Sequence, residues 1–306
     1  MVMNQGRNVL VIGGNRYFGK RLVERLLAAG DRVTVLNRGS SPPPPGAAHL
    51  VADRDDEASL RAALGERTFD VVIDQVCYTP RQAEIARRVF TGRTGRYVLT
   101  STVEVYEYED SIAPVREDAV DPLTVAVDPD LPWDDPAFLD THYGEGKRQA
   151  EAVFAAAGPA LPWTSVRVAH VLGGEDDFTG RLKHYADRIA AGEPIAVPAR
   201  NRPATYIHVE EIAGFLFWAA GQDFTGPVNA ASHSTLSTED LCAAVEAHLG
   251  GGRTVLSPVE VGQVSPFSFF RFYGMDNSRA VRLGYRFSST RQWLARAVAE
   301  TLGKDN

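Results

Sequence analysis

Asn8-Val9-Leu10-Val11-Ile12-Gly13-Gly14-Asn15-Arg16-Tyr17-Phe18-Gly19 runs from a five-residue apolar stretch through a glycine turn straight into a helical pattern. An apolar run of this length reads as a buried strand, and glycines let the backbone turn tightly and come close to a ligand. Behind the turn, Leu22, Leu26 and Ala29 recur at helical spacing, and Gly30 and Asp31 close the helix. Strand, turn and helix N-terminus together make a cradle for a pyrophosphate, because the helix end supplies unpaired N–H groups and a partial positive charge. Gly13, Gly14, Asn15, Arg16, Tyr17, Phe18 and Gly19 are therefore candidate cofactor contacts.

The alternation continues outward from this stretch. Apolar runs at Arg32 to Leu36, His49 to Ala52, Val71 to Val76 and Tyr97 to Thr100 are separated by helical stretches at Ala58 to Leu64 and Pro80 to Phe90. Strands alternating with helices through short loops give right-handed crossovers and a doubly wound parallel sheet. After Gln149 come a helix to about Ala157, a strand at Thr164 to Val168, and then irregular sequence rich in Pro, Gly and aromatics. The expectation is an α/β fold: a Rossmann sheet in residues 1–168 that also receives strands from about 203–231. A smaller C-terminal substrate-binding lobe fills 169–306, with a cleft between the two. Pro42 to Pro45 reads as a stiff surface loop.

Composition bounds the function. The 306 residues carry 39 acidic and 32 basic side chains, a net charge of −7, and 44% of them are hydrophobic, which argues against disorder and against a generally cationic nucleic-acid binder. Cys77 and Cys242, without CxxC spacing, disfavour a disulfide framework, a structural zinc site or an iron–sulfur cluster and suggest a reducing cytoplasm. His49, His184, His233 and His248 show no metal-ligand spacing. Asn4, Gln5 and Arg7 precede the first strand with no signal-peptide core, and the longest apolar stretch, Phe215 to Ala220, is far short of the roughly 20 residues of a membrane helix.

The second strand ends at Leu36-Asn37-Arg38, where a dinucleotide fold reads the adenosine ribose. NAD usually calls for an acid there, and none is present. An arginine suits a 2′-phosphate through bidentate hydrogen bonds, so Arg38 with Arg16 favours NADP, NAD remaining possible. Asn37 at the same strand end is a further candidate cofactor contact, and Asp53, after the third strand, can accept from an adenine amino group.

Tyr143-Gly144-Glu145-Gly146-Lys147 opens a helix, and the spacing of four puts Tyr143 and Lys147 on one face, roughly 5–6 Å apart at Cβ. An ammonium near a phenol favours the phenolate and makes the tyrosine a usable acid or base near neutral pH. Ser101-Thr102-Val103-Glu104-Val105-Tyr106 ends the fifth strand at its carboxyl edge, where open α/β sheets bind ligands, and a hydroxyl there can bond a substrate oxygen.

At this point the chain resembles the extended short-chain dehydrogenase/reductases, the NAD-dependent epimerase/dehydratase family. The resemblance covers most of the chain: the glycine turn, the strand-five hydroxyls, Tyr-x-x-x-Lys, Arg167 with Gly173, His208-Val209-Glu210-Glu211 and Asp276-Asn277-Ser278-Arg279-Ala280. It implies hydride transfer by a Thr102, Tyr143 and Lys147 triad, with Lys147 also holding the nicotinamide ribose, and a nucleotide-linked sugar as substrate. Glu104 matches a glutamate of the family's 4,6-dehydratases and some of its decarboxylases, with Val103 where dTDP-glucose dehydratases have an aspartate. The helix carrying Tyr-x-x-x-Lys commonly packs into a homodimer in this family.

Three departures accompany the match. The turn is of the Gly-Gly-x-Arg-x-Phe-Gly type, with Arg16 for the middle glycine, as in a divergent branch that includes chloroplast stem-loop RNA-binding proteins. His170 stands where sugar-nucleotide enzymes usually place an asparagine against the substrate. The Glu107 to His142 segment is long and rich in Pro and Asp, as expected of a lid or pocket wall. Arg202 resembles a family arginine that holds a substrate diphosphate. Two other readings stay open: an NADPH-dependent ketoreductase acting on a small carbonyl or polyketide, and an RNA-binding or sensor module. For the latter, Arg200, Arg202 and Phe267 to Tyr273 around Arg271 supply basic and aromatic material, against an acidic chain for which nucleic acid is the lesser expectation.

Overall fold

The computed structural model of the chain describes residues 6–303, so Asn4 and Gln5 lie outside the described residues. The first half alternates as expected: β1 (Asn8–Ile12), α1 (Tyr17–Ala28), β2 (Arg32–Asn37), β3 (Ala48–Val51), α2 (Glu57–Leu64), β4 (Val71–Asp74), α3 (Pro80–Phe90) and β5 (Tyr97–Thr102). There follow α4 (Pro136–Thr141), α5 (Tyr143–Ala156), β6 (Trp163–Val168), β7 (His170–Leu172), α6 (Arg181–Ala191), β8 (Pro194–Pro198) and β9 (Ala204–His208). The chain ends with α7 (Val209–Ala219), β10 (Gly226–Ala230), β11 (Thr235–Leu236), α8 (Thr238–Leu249), β12 (Val255–Val259), α9 (Ser278–Arg282) and α10 (Thr290–Leu302).

Seven strands form one sheet in the order β10-β6-β5-β4-β1-β2-β3. β1 pairs in parallel with both β2 and β4, so the strand order reverses beside it, the place where doubly wound sheets bind ligands. β1, β4 and β5 are buried on both faces, which is why they read as unbroken apolar runs. One face of the sheet packs Leu10, Ile12, Val72 and Leu99 against Leu60, Phe90 and Phe154 of α2, α3 and α5. β4 stops at Asp74 rather than at Val76, because the Asp74 carboxylate accepts the Val76 N–H at 3.0 Å and turns the chain.

The chain divides into two compact units. The first holds residues up to Glu107, Glu117–Arg167 and Ala213–Val228; the second holds Tyr108–Arg116, Val168–Ile212 and Asn229 onward. Of the segment around 203–231 expected to return strands to the large sheet, only β10 does so. β9 instead lies between β7 and β11 in a three-stranded sheet, pairing His170 with Tyr206 and Leu172 with His208. The second unit has its own core, in which Tyr185, Ile189, Tyr206, Leu241, Val245 and Trp293 pack together.

Candidate active site

Gly13 and Gly14 take φ values of 90° and 82°, which an L side chain rarely adopts. A Cβ on Gly14 would lie 2.8 Å from Val11, and one on Gly19 would fall on Gln75 Oε1. Tyr17, the first residue of α1, also has a left-handed φ of 52°. Arg16 precedes the helix without a side-chain cap and no acid sits in the first turn, whereas α2 and α3 are capped by Asp56 and Thr79. The first turn of α1 therefore carries neither a side-chain cap nor an acid of its own to offset its positive end.

At the end of β2, Asn37 Nδ2 donates to Asn15 Oδ1 at 2.9 Å. Asn37 Oδ1 accepts the Gly39 N–H at 2.7 Å and meets His49 Nε2 at 3.0 Å. Asn15 Nδ2 donates to the carbonyls of Ser41 and Pro42. Both amides thus staple the loop after β2 to the turn before α1. Arg16 and Arg38 are both exposed, and neither side chain makes a hydrogen bond or ion pair among the described residues. Asp53 is exposed, with one carboxylate oxygen accepting the Asp55 N–H at 3.0 Å.

α5 is pressed close by its glycines. A Cβ on Gly144 would meet the Glu104 carbonyl, and one on Gly146 the Tyr78 carbonyl and the Trp133 ring. Lys147, 1% exposed, donates from Nζ to the Thr100 carbonyl of β5 at 2.8 Å. Burial pushes its ammonium down to about 8, against the opposing pull of Cys77, Asp74 and Glu151. Nζ sits 5.8 Å from the Tyr143 ring centre and 4.6 Å from that of Tyr78. Thr102 is buried, and its Oγ1 accepts the Glu104 N–H at 3.2 Å, capping the short 3₁₀ turn Val103–Tyr106. Tyr143 and Glu104 are half-buried. The strand-five hydroxyl, the tyrosine and the lysine thus belong to one packed unit, joined at Lys147 and Thr100.

Sequence reasoning missed two buried networks beneath this site and the ring of Tyr78. Arg167 forks onto Glu151 at 2.6 Å, with side chains 0% and 1% exposed, and donates to Tyr106 Oη and to the carbonyls of Glu117 and Val120. Ser101 Oγ donates to Glu151 at 2.6 Å, so the first of the two strand-five hydroxyls is structural. Arg54 pairs with Asp74 at 2.7 Å, and Tyr97 Oη donates to the same carboxylate. The long segment before α5 is anchored as well as long: Arg81 grips Pro129, Leu131 and Asp134, and Gln149 accepts the Asp128 N–H. Along α5, Tyr143, Glu145, Arg148 and Ala155 are half-buried and the other residues from Gly144 to Phe154 are buried.

In the second unit, His170 lies in a nest of rings: stacked on Phe269 at 4.9 Å, with Tyr206, Phe267 and Tyr273 between 5.7 and 5.8 Å. Burial among them pushes its imidazole down to about 3, with the Arg181 charge adding to the effect, so it is neutral. Its Nε2 has no hydrogen-bond partner among the described residues. Arg202 is half-buried and its N–H donates to the Phe269 carbonyl at 2.9 Å, placing it beside the nest. The Phe267 to Tyr273 aromatics considered for RNA are thus largely engaged in packing; Phe270 is the exposed one. Among the described residues no group of His, Cys, Asp and Glu is arranged to hold a metal ion, both cysteines are free and buried, and no helix is long and apolar enough to cross a membrane.

A doubly wound parallel sheet with a glycine turn at its switch point defines a dinucleotide-binding fold of the short-chain dehydrogenase type. The chain belongs to the NAD dependent epimerase/dehydratase family, whose profile it matches over residues 9–231. It is similar to the Arabidopsis thaliana chloroplast stem-loop binding protein of 41 kDa b, with 27% identity over 225 residues, 68% of this chain and 53% of that protein. The chain therefore matches only about half the length of that curated relative. Its fold is that of the Thermotoga maritima UDP-glucose 4-epimerase solved with UDP-glucose, at a TM-score of 0.72 and 19% identity over 96% of this chain and 98% of that one. It is likewise similar to the Bacillus anthracis dTDP-glucose 4,6-dehydratase solved with NAD, at a TM-score of 0.73 and 14% identity over 95% of each chain.

Proposed function

We propose that this chain is an NAD(P)-dependent enzyme that moves a hydride to or from a substrate carbon bearing a hydroxyl, most simply on a nucleotide-linked sugar. The observation that carries the reading is Lys147, buried without a carboxylate in ion-pair contact, one helical turn from Tyr143 and bonded to the strand that ends at Thr102. Gly13, Gly14 and the start of α1 fit a diphosphate, since the turn leaves no room for side chains and the helix end is uncapped. Asp53 would face the adenine and Lys147 the ribose of the nicotinamide. When bound, a nicotinamide supplies the acceptor or donor of the hydride.

The chain's own part is acid–base chemistry. Tyr143 Oη takes the proton of the substrate hydroxyl as the carbon is oxidised, and returns it on reduction. The Lys147 charge lowers the cost of the phenolate, and Thr102 Oγ1 donates to the substrate oxygen, its lone pair being occupied by the Glu104 N–H. Glu104 is the candidate for the further proton transfers of an elimination. Arg16 and Arg38, each next in sequence to one of the two bonded asparagines, and the bonds already made by Asn37 Oδ1 support NADP over NAD.

The neutral, ring-lined His170 favours a second reading, a ketoreductase on a small carbonyl, because a diphosphate would gain no charge from it. Mass spectrometry of nucleotide released from freshly purified protein separates the two. Retained oxidised cofactor indicates a hydride recycled on one substrate, whereas empty protein that binds NADPH reversibly indicates a reductase. In either case Tyr143→Phe loses at least about 100-fold in turnover with cofactor affinity kept; full turnover in that variant refutes the assignment.

A further inference from the structure

A buried ammonium normally needs a carboxylate, and Lys147 has none in ion-pair contact among the described residues. The nearest acids are already committed: Asp74 to Arg54 and Tyr97, Glu151 to Arg167 and Ser101. What faces the ammonium instead, besides the Thr100 carbonyl, is aromatic. The Tyr78 ring centre lies 4.6 Å from Nζ and that of Tyr143 5.8 Å, both within cation–π range, and the two rings are 6.1 Å apart.

The backbone that carries the nearer ring is fixed at three points. The Tyr78 N–H donates to Gln82 Oε1 at 2.6 Å, Thr79 caps α3 immediately after it, and its carbonyl abuts Gly146, where no side chain fits. Burial pushes the Tyr78 hydroxyl up, so this ring stays neutral while Tyr143 does the proton transfer. Holding a lysine by a ring rather than a carboxylate has a chemical consequence. A carboxylate at ion-pair distance would cancel the positive field that a phenolate at Tyr143 requires, whereas a neutral π face anchors the charge and leaves the field intact.

We propose that Tyr78 is a positioning residue of the reaction centre, whose ring holds the Lys147 ammonium charged and aimed at Tyr143. The role rests on the hydride-transfer reading above, but its physical core can be measured without substrate. Every group that bears on the lysine charge is then in view: Tyr78, Cys77 and Asp74 from β4 and the loop after it, Arg54 from the loop after β3, and Tyr143 and Glu151 from α5.

The test uses the full chain with ¹³C-labelled lysine. The sequence has four lysines, Lys20, Lys147, Lys183 and Lys304, so the Lys147 ε-carbon is assigned by its loss in Lys147→Gln. In the unaltered protein it titrates near 8. Tyr78→Leu moves that midpoint down by about one pH unit, and Tyr78→Phe leaves it in place, because the ring is kept. Should the leucine variant not fold, a phenylalanine at 78 fluorinated in one, two and then three positions keeps the shape and weakens the π face. The midpoint then descends stepwise with fluorination. A midpoint unmoved by leucine or by fluorination, or moved as far by Tyr78→Phe as by leucine, overturns the proposal. NADPH titration of the same samples keeps the two readings apart: absent nucleotide binding counts against the hydride-transfer function, whereas binding with a flat lysine series counts against Tyr78 alone.

Discussion

The β1–α1 turn and the His170 nest are built on opposite plans. At the turn the backbone itself is the site: Gly13 and Gly14 adopt positive φ, and Gly14 and Gly19 admit no Cβ. Around His170 the site is made of side chains, with Phe267, Phe269 and Tyr273 arriving from a segment far along the chain to enclose one imidazole. A backbone site tolerates little change, because each glycine answers to a steric demand. A side-chain site can be re-specified ring by ring.

The sharpest break of this contrast lies beneath the first unit's site. Glu151→Ala leaves the Arg167 guanidinium buried and unpaired, and should cost about 3–5 kcal/mol in denaturant unfolding. A loss below about 1 kcal/mol would mean that the network under the strand-five hydroxyls is not the rigid floor described. The His170 nest comes next and is read by pH. The folded imidazole titrates near 3 and the unfolded one near 6.5, so the unfolded state binds the extra proton and stability falls as pH drops below about 6.5. By pH 4 the loss is about 3 kcal/mol, and His170→Phe flattens that limb of the stability profile. An unchanged profile in the variant would move the acid sensitivity elsewhere.

The turn is tested by size. Gly19→Val drives a side chain into Gln75, and nucleotide affinity should drop about 30-fold while the second unit keeps its near-ultraviolet aromatic signal. The smallest effect is Arg38→Ala, about tenfold weaker binding of NADPH with NADH little changed. Equal losses for both nucleotides would show that Arg38 does not read the 2′ position.

What could be read from the sequence follows the same division. Buried parallel strands are continuous apolar runs, so β1, β2, β4, β5 and the helices between them were visible, as were the glycine turn and the Tyr143 and Lys147 spacing. The β4 end was misplaced because the Asp74 carboxylate folds back on Val76, a bond that composition does not reveal. β9 was assigned to the large sheet because a short apolar run carries no information about its partner, and register with β7 decided otherwise. Nothing in the sequence signals that the Asn15 and Asn37 amides bond to each other and to the loop after β2, because that depends on where the loop folds. Tyr78 had a local signal, an aromatic between the fourth strand and a Thr-Pro helix start. Its meaning depends on Gly146, which lies in another element and lets α5 come close.

The most direct test of the central claim is a fluorescence titration of the purified, nucleotide-free chain with NADPH and with NADH. The account predicts saturable binding of both, tighter for NADPH, with both about 30-fold weaker in Gly19→Val. No binding of either nucleotide would contradict it, leaving the glycine turn of β1 and α1 a structural feature and the Tyr143 and Lys147 pair without a hydride to serve.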